Sequence, residues 1–265
     1  MGEFELTLDQ IADFDDDGFF IVENLLDCEE TDLLRHIARA DQALVAGAAS
    51  RADGEGGAVK VRVDNELGEN DIYSAIVRSR RIIEAMESLL CDEVYHYHHK
   101  MILKEPRVGG AWAWHQDYGY WYDNGCLFPY LASCMIAVDR ATKQNGCLQV
   151  LRGSQHMGRV NHVKIGEQTG ADPERVAVAI EELELVHCEL EPGSAIFFHC
   201  NLLHRSDQNT SEDPRWAFIS CYNTKGNDPY KESRHPRYSP LAKWPDSMVL
   251  EIGRRQWARM QQPVA

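Results

Sequence analysis

In the first ninety residues, apolar positions recur every three or four residues, which is the spacing of amphipathic helices. One helix is predicted from the apolar positions in 8–14, with Gly18 suited to end it. Asp27 and Glu30 resemble a capping box at the start of a second helix. The apolar residues of this second helix are predicted to be Leu33, Leu34, Ile37, Ala38 and Leu44. A third helical pattern runs over 72–90.

Three shorter segments interrupt these helices. Residues 19–22 (FFIV) predict a short buried strand. Residues 47–57 are rich in alanine, glycine and charge, which predicts a mobile loop. Residues 78–81 (RSRR) form the densest basic run and are predicted to be one exposed helical turn.

After Asp92 the pattern changes from helical to strand-like. Residues 94–103 are rich in aromatic and branched side chains, as strands are. Further apolar runs, separated by turn residues, predict strands over 133–139, 147–151, 185–189, 195–199 and 216–222. Many short strands with turns between them favour a β-sandwich or barrel. Helices are predicted over 173–183 and 248–260, and the absence of a linker or repeat predicts one domain.

Composition narrows the function classes. The 265 residues include 42 acidic and 27 basic side chains, for a net charge of −15. Such a chain is repelled by phosphate backbones, so nucleic-acid binding is not expected. No apolar stretch is long enough to span a membrane and no signal peptide is apparent, so we expect a cytoplasmic protein that does not bind membranes. None of the eight cysteines forms a Cys-x-x-Cys pair, which favours buried free thiols over a zinc knuckle.

A histidine and an aspartate that are two residues apart suggest a metal site. His115 and Asp117 would share one face of an extended strand, so that an imidazole and a carboxylate could converge on one ion. Non-haem iron oxygenases use two histidines and one carboxylate and leave other positions of the metal open. A distant histidine is therefore needed. His204 follows an apolar strand and is a candidate, with His199 as a rival.

Ser206 and Arg215 follow His204 in the chain and suggest a binding site for the far carboxylate of a metal-chelating dicarboxylate. Arg215, at the start of an apolar run, offers a planar fork that matches a carboxylate, and Ser206 can add a hydroxyl. A dicarboxylate that chelates iron at one end needs such a clamp at its other end. His199 lacks a serine and an arginine at these offsets.

Taken together, these motifs resemble the phytanoyl-CoA dioxygenase family of Fe(II)- and 2-oxoglutarate-dependent oxygenases. The family's His-x-Asp pair is matched by residues 115–117, and its closing block of His, Ser and Arg by residues 204–215. Its "NGCL…GS" hairpin is matched by residues 145–154. Smaller matches at residues 16–19 and 104–106 extend the resemblance from about residue 9 to about residue 222.

The resemblance implies a mainly β fold whose core is a double-stranded β-helix, or jelly roll, with flanking helices. It divides the single domain into a helical part over 1–92, a jelly-roll core over 93–225 and a C-terminal extension over 226–265. His115, Asp117 and His204 would be the catalytic metal ligands for Fe(II). The expected cofactor-binding residues for 2-oxoglutarate are Arg215, Ser206, Lys100 and Met135.

The implied reaction is hydroxylation of a small molecule with release of succinate and CO2. It uses O2, with ascorbate as the expected reductant. Family halogenases replace the ligand carboxylate by a small residue, so the intact Asp117 favours hydroxylation. The absence of an evident basic cluster disfavours an acyl-CoA substrate. The expected assembly is a monomer or a homodimer. The alternative function is a metal-binding jelly roll without oxygenase activity, such as an isomerase or a sensor, which would not need Arg215.

Other side chains near these motifs have open roles. His96 and His98 would share one strand face and His99 the opposite face, with His98 turned toward the substrate because Lys100 shares its side. The aromatic residues in 118–122 would either cover the substrate or pack the barrel rim. The acidic surface, with Asp123, would either steer a cationic substrate or only be solvated.

Overall fold

The computed structural model describes residues 4–53 and 57–262. Residues 1–3, 54–56 and 263–265 lie outside this description, and with them part of the predicted 47–57 loop and both ends of the predicted domain. The described residues form eight α-helices: α1 Leu8–Asp17, α2 Cys28–Ala40, α3 Gln42–Ala46, α4 Ile72–Arg78, α5 Arg80–Leu90, α6 Asp117–Trp121, α7 Pro173–Glu182 and α8 Ser247–Met260.

The described part of the chain also contains thirteen strands and two short 3-10 helices, Ser154–Met157 and Lys225–Asn227. The strands are β1 Phe19–Val22, β2 Ala49–Ala52, β3 Ala58–Asp64, β4 Val94–Lys104, β5 Trp112–His115, β6 Leu131–Ala137, β7 Leu148–Leu151, β8 His162–Ile165, β9 Gln168–Ala171, β10 Leu185–Cys188, β11 Ala195–His199, β12 His204–Ser206 and β13 Arg215–Thr224. Every strand predicted from the sequence is present, with bounds that differ by at most two residues.

Two antiparallel sheets form the centre of the molecule. The larger has seven strands in the order β1-β11-β6-β13-β4-β3-β2, and the smaller has four in the order β10-β7-β12-β5. The β8–β9 hairpin is a separate two-stranded sheet. Most strand neighbours are far apart in the chain, as in a jelly roll, and this brings distant segments together between the sheets.

The two faces of the larger sheet bury different apolar clusters. Phe197 and Phe218 pack with the helices on one side, whereas Phe198 and Ile219 belong to the cluster that includes residues of the smaller sheet. Successive residues of a strand point to opposite faces, so the continuous apolar runs of β11 and β13 supply both clusters. These strands are therefore buried on both sides and form a rigid base for side chains between the sheets.

The helices begin and end largely where the sequence predicts. Thr7 caps α1, which ends at Gly18 in the left-handed conformation, with φ of 86°. Asp27 and Glu30 form the predicted capping box of α2. Leu44, however, does not lie on α2, because Asp41 ends that helix and caps the separate helix α3.

Two further element predictions for the first ninety residues are wrong. Residues 49–52 of the supposed loop form β2, which pairs with β3 at the edge of the larger sheet. The 72–90 pattern is two helices, because Ser79 is extended, with ψ of 138°, and separates α4 from α5. The apolar spacing continues across this break because both helices pack on the same core.

The basic run at 78–81 is not an exposed turn. Ser79 is fully buried, and the guanidinium of Arg81 is 7% exposed and forms an ion pair with the buried carboxylate of Glu30. Arg81 also donates to the carbonyl of Leu25 at 2.7 Å. The pair fastens α5 to the first turn of α2, so these charges have a structural role.

All eight cysteines are free, as predicted, and six of them are buried. The exceptions are Cys28 and Cys91, which are exposed. No described helix is both long enough and apolar enough to cross a bilayer.

Candidate active site

A cavity of about 560 Å³ opens between the two sheets. Its walls come from both sheets, from α6, from the β8–β9 hairpin and from the segment after β13. The volume is in the range of sites that enclose a small molecule. Among its lining residues are His115, Asp117, His204, Ser206 and Arg215, which the sequence singled out.

The two predicted histidine ligands meet at one end of this cavity. Strand β12 pairs with β5 so that His204 lies directly opposite His115, with ring centroids 4.0 Å apart. Both side chains are buried. The antiparallel pairing therefore joins two residues that are far apart in sequence.

Asp117 reaches the same point from the start of a helix and not from the predicted strand. Strand β5 ends at His115, and Asp117 is the first residue of α6 rather than a strand residue. Gln116 between them remains extended, with φ of −111° and ψ of 135°, so the two side chains still converge. The carboxylate Oδ1 of Asp117 lies 3.9 Å from Nε2 of His115.

The three side chains fit a metal ion. Their candidate ligand atoms all lie within 4.8 Å of one another. Nδ1 of His115 donates to the carbonyl of Ala113, and Nδ1 of His204 donates to the carbonyl of Leu202, each at 2.9 Å. A proton held on Nδ1 leaves the lone pair of Nε2 free for a metal, which is how ligating histidines are commonly fixed.

Electrostatics keep the three groups in the state that a metal requires. Burial, with the nearby His204, holds the pKa of His115 well below its usual range, and burial likewise lowers the pKa of His204. Burial alone would raise the pKa of Asp117, but Lys100 and His204 outweigh it and lower the pKa. The site thus presents two neutral imidazoles and a carboxylate. Ser133 donates to the second oxygen of Asp117 at 3.3 Å.

Arg215 and Ser206 lie together in the cavity wall. Arg215 is 3% exposed, and its Nε donates to the carbonyl of Gly146 at 3.0 Å. Ser206 Oγ accepts from Nζ of the fully buried Lys104 at 2.9 Å. Among the described residues, neither cation has a carboxylate within ion-pair distance, so this end of the cavity is suited to an anionic group.

The sequence did not predict a role for Lys104 in the site. Lys104 was only part of the matching segment 104–106. Burial, with the nearby Arg215, holds the pKa of Lys104 well below its usual range. The close packing here depends on Gly146, which has φ of 75°. A Cβ at this position would lie 3.0 Å from Nζ of Lys104 and even closer to the carbonyl oxygen of Asp207. In the sequence, only the Asn145-Gly146 turn indicated that other groups approach the backbone closely here.

Lys100 and Met135 both line the cavity. Lys100 Nζ lies 3.5 Å from Oδ1 of Asp117, which places it beside the candidate metal ligands. Met135, on β6, is 3% exposed and lies next to Ile219 in the sheet register. Their roles toward 2-oxoglutarate remain predictions.

The histidines of β4 do not alternate as predicted. Cys221 pairs with His98 and Tyr222 with His96, so Tyr97 is an extra residue that forms a β-bulge. Nδ1 of His99 consequently lies 3.1 Å from Nε2 of His96, on the same side rather than the opposite one. His98 lines the cavity with Lys100, as predicted.

The aromatic residues of α6 divide between the two predicted roles. Tyr120 and Trp121 line the cavity, and the hydroxyl of Tyr120 donates to the carbonyl of Thr169 in the β8–β9 hairpin. Tyr118 is buried and donates to the carbonyl of Leu127 at 2.7 Å, so it packs the structure. Tyr122 is 40% exposed at the rim.

His199 lies outside the candidate metal site. It does not line the cavity, and its Nδ1 accepts from the backbone N–H of Asn201 at 3.0 Å. Its ring packs against Phe14, with centroids 5.8 Å apart. These contacts explain its position on β11 without a metal.

The model of the phytanoyl-CoA dioxygenase family matches residues 14–217, which include every candidate ligand described above. The chain belongs to the phytanoyl-CoA dioxygenase family. This membership confirms the enzyme class predicted from the sequence, that of the iron- and 2-oxoglutarate-dependent dioxygenases.

Individual members of the family support the same placement. The chain is 30% identical to an L-proline trans-4-hydroxylase of Streptomyces griseoviridis over 183 residues, which are 63% of this chain and 68% of the relative. It is 28% identical to an ectoine dioxygenase of Bordetella bronchiseptica over 255 residues, covering 89% of this chain and 82% of the relative.

The fold matches a solved structure of EctD from S. alaskensis with 2-oxoglutarate and 5-hydroxyectoine. The TM-score is 0.76 at 22% identity, with 93% of this chain and 90% of that chain covered. This likeness confirms the predicted mainly β fold with a double-stranded β-helix and flanking helices. Within this family fold, the described N-terminal residues also supply three strands, β1 to β3, to the larger sheet.

Proposed function

We propose that this chain binds Fe(II) through His115, Asp117 and His204 and hydroxylates a C–H bond of a small molecule. The observation that carries the proposal is the cross-strand pairing of His115 with His204, which brings both imidazoles and the Asp117 carboxylate to one end of the cavity. Two histidines and one carboxylate leave positions on the metal open. When bound, iron and 2-oxoglutarate supply the oxidation itself, in which O2 is consumed and succinate and CO2 are released.

The chain's own residues position the reactants. Arg215 and Ser206, with Lys104 behind them, bind the far carboxylate of 2-oxoglutarate, because the buried guanidinium of Arg215 has no carboxylate partner among the described residues and Ser206 offers a hydroxyl. Lys100 and Ser133 orient the Asp117 carboxylate.

Hydroxylation is favoured over halogenation because the carboxylate of Asp117 is present and points at the two imidazoles. The relatives named above, a proline hydroxylase and an ectoine dioxygenase, indicate a small polar metabolite as the substrate. Ascorbate as reductant, a cytoplasmic location and a monomeric or homodimeric assembly are further parts of the proposal.

The test is succinate formation by the purified chain with Fe(II), ascorbate, 2-oxoglutarate and a panel of small metabolites. We expect succinate to form in step with a hydroxylated product. The alternative, a metal-binding protein without oxygenase activity, predicts iron binding without consumption of 2-oxoglutarate. Binding of Fe(II) is measured separately by calorimetry, so that loss of the metal and loss of chemistry are distinguished.

A further inference from the structure

Two imidazoles in the cavity have no hydrogen-bond partner. His98 on β4 and His235 in the segment after β13 are 4% and 8% exposed, and both line the cavity. Their ring centroids are 5.2 Å apart. In the described part of the chain, no ring nitrogen of either residue forms a hydrogen bond, and both Nδ1 atoms are out of contact with solvent. The Nε2 edge of each ring is therefore the edge available to the cavity.

The surrounding aromatic residues fix both rings. Tyr97 stacks on His235 with centroids 4.7 Å apart, and Trp121 meets the ring of His98 edge-on at 5.7 Å. Burial holds the pKa of both imidazoles below its usual range, to about 4 for His235. Each ring is thus neutral at pH 7 and carries one N–H. With that proton on Nε2, both rings donate into the cavity.

The cavity is more cationic than the protein as a whole. The chain carries a net charge of −15, yet the cavity walls include Arg51, Lys164 and Arg234 against Asp123 and Glu167. None of these five forms an ion pair with another described residue. Arg234 directly precedes His235. A concave site with an excess of positive charge attracts anions.

We propose that His98 and His235 bind a carboxylate of the substrate, with Arg234 beside them, and that the substrate is a small carboxylic acid such as an amino acid. The proposal rests on the proposed function. A carboxylate has two acceptor oxygens, one for each imidazole N–H, and its negative charge strengthens both hydrogen bonds. It would accept from the Nε2 edges of both rings, for which the described residues supply no hydrogen-bond partner, and the buried Nδ1 atoms would carry no proton.

This subsite does not include Arg215 or Ser206, which are proposed to bind the far carboxylate of 2-oxoglutarate. Lys100 follows His98 by two residues on β4, so the two side chains share a face and are about 7 Å apart along the strand. Lys100 contacts the candidate metal ligand Asp117. The substrate carboxylate would therefore lie next to the metal end of the cavity, two residues along β4 from Lys100.

The experiment measures binding of the twenty common L-amino acids and of their primary amides. Calorimetry is performed on the full chain, both metal-free and loaded with Fe(II) and saturating 2-oxoglutarate without O2. Each amide keeps the shape of its acid but removes the negative charge. We expect at least one acid to bind ten times more tightly than its amide, in both forms of the protein.

Variants then locate the carboxylate. His98→Phe and His235→Phe keep a ring but remove the N–H, and each should weaken binding of that acid about tenfold or more. Binding of 2-oxoglutarate should be unchanged. His235→Gln, which restores an N–H donor, should recover part of the loss. The matched control is Arg237→Gln, which removes an exposed ion pair with Asp228 outside the cavity and should change nothing.

The opposite results are equally clear. If no acid binds better than its amide, or if both phenylalanine variants bind the acid as the original chain does, the carboxylate subsite is wrong. Binding of the acid by the metal-free chain tests the subsite even if succinate never forms. Failure of the proposed oxygenase function is thus distinguished from failure of the subsite.

Discussion

His115 and His204 lie directly opposite each other on the neighbouring antiparallel strands β5 and β12, with ring centroids 4.0 Å apart. The strand register shifts between His204 and Ser206, so that Ser206 pairs with Trp112. A single short strand therefore presents one side chain to the metal end of the cavity and another to the end that contains Arg215. The relative position of the iron and 2-oxoglutarate sites depends on this register.

The first prediction separates two histidines. His204→Ala should lose Fe(II) binding and turnover, because it removes one of three protein ligands. His199→Gln should keep both, because His199 contacts Phe14 and the backbone of Asn201 outside the cavity. Calorimetry with Fe(II) and the succinate assay measure both effects. Loss of iron binding in His199→Gln but not in His204→Ala would show that His199 is the third metal ligand and His204 is not.

The second prediction concerns the carboxylate ligand. Asp117→Gly should abolish hydroxylation rather than slow it, since it removes both a ligand and its negative charge next to Lys100. The products are analysed by mass spectrometry, with and without chloride. A chlorinated product would show that the open position accepts a halide. Normal hydroxylation by this variant would show that Asp117 is not a ligand.

The third prediction concerns stability. Glu30→Ala should lower the free energy of unfolding by up to about 3–5 kcal/mol, because Arg81 would lose its buried carboxylate and keep only that of the more exposed Asp246, 3.6 Å away. The neighbouring Glu29 is a matched control. It pairs with Arg254 on the exposed surface, so Glu29→Ala should cost about 0–1 kcal/mol. Urea unfolding measures both values, and equal losses would contradict the prediction.

The fourth prediction concerns pH. Burial lowers the pKa of His199 from 6.5 to about 4 in the folded protein. Protonation would also remove the acceptor that Nδ1 offers to Asn201. The unfolded chain therefore binds the proton more readily, and stability is lost as the pH falls from 6.5 towards 4.

His199→Gln removes this titration while keeping a polar side chain. Between pH 7 and pH 5, the original chain should lose about 1–2 kcal/mol more of its free energy of unfolding than the variant does. Urea unfolding at both pH values gives the comparison. Parallel losses in the two proteins would show that His199 titrates as in the unfolded chain.

Much of this fold could be predicted from the sequence because its strands are apolar and its turns are distinct. The strand over 94–103 and the helix over 173–183 have clear patterns that tertiary contacts did not override. The break at Ser79 could not be predicted, because apolar spacing continues through it. The strand over 49–52 has only exposed or half-exposed residues, so no apolar pattern marked it.

The candidate site was predictable in its residue types and less so in its geometry. His115, Asp117 and His204 were found by spacing, but the start of α6 at Asp117 depends on contacts distant in sequence. The bulge at Tyr97 moves His96 and His99 to one side, and nothing in the alternation of β4 marks it. His235 has no motif, and only the fold brings it next to His98.

The last prediction concerns the clamp for 2-oxoglutarate. Arg215→Ala should raise the dissociation constant of 2-oxoglutarate about 10²-fold or more, because loss of a buried charge partner costs about 3–5 kcal/mol. Arg215→Lys should restore only part of the affinity, since an ammonium lacks the planar fork. Titration of 2-oxoglutarate into the iron-loaded protein without O2 measures each constant.

The structure removes the main alternative for Arg215, a surface ion pair with Glu212 or Asp213. Arg215 is buried, and Glu212 pairs with the exposed Arg107 instead. Arg107→Ala is therefore the matched control and should leave the affinity for 2-oxoglutarate unchanged. Lys104→Met should weaken 2-oxoglutarate binding as well, because it removes the Nζ donor that holds the hydroxyl of Ser206. Iron affinity should change little in these variants, since none of them alters a ligand. A shift below threefold in Arg215→Ala would reject the clamp and, with it, the assignment of this end of the cavity to 2-oxoglutarate.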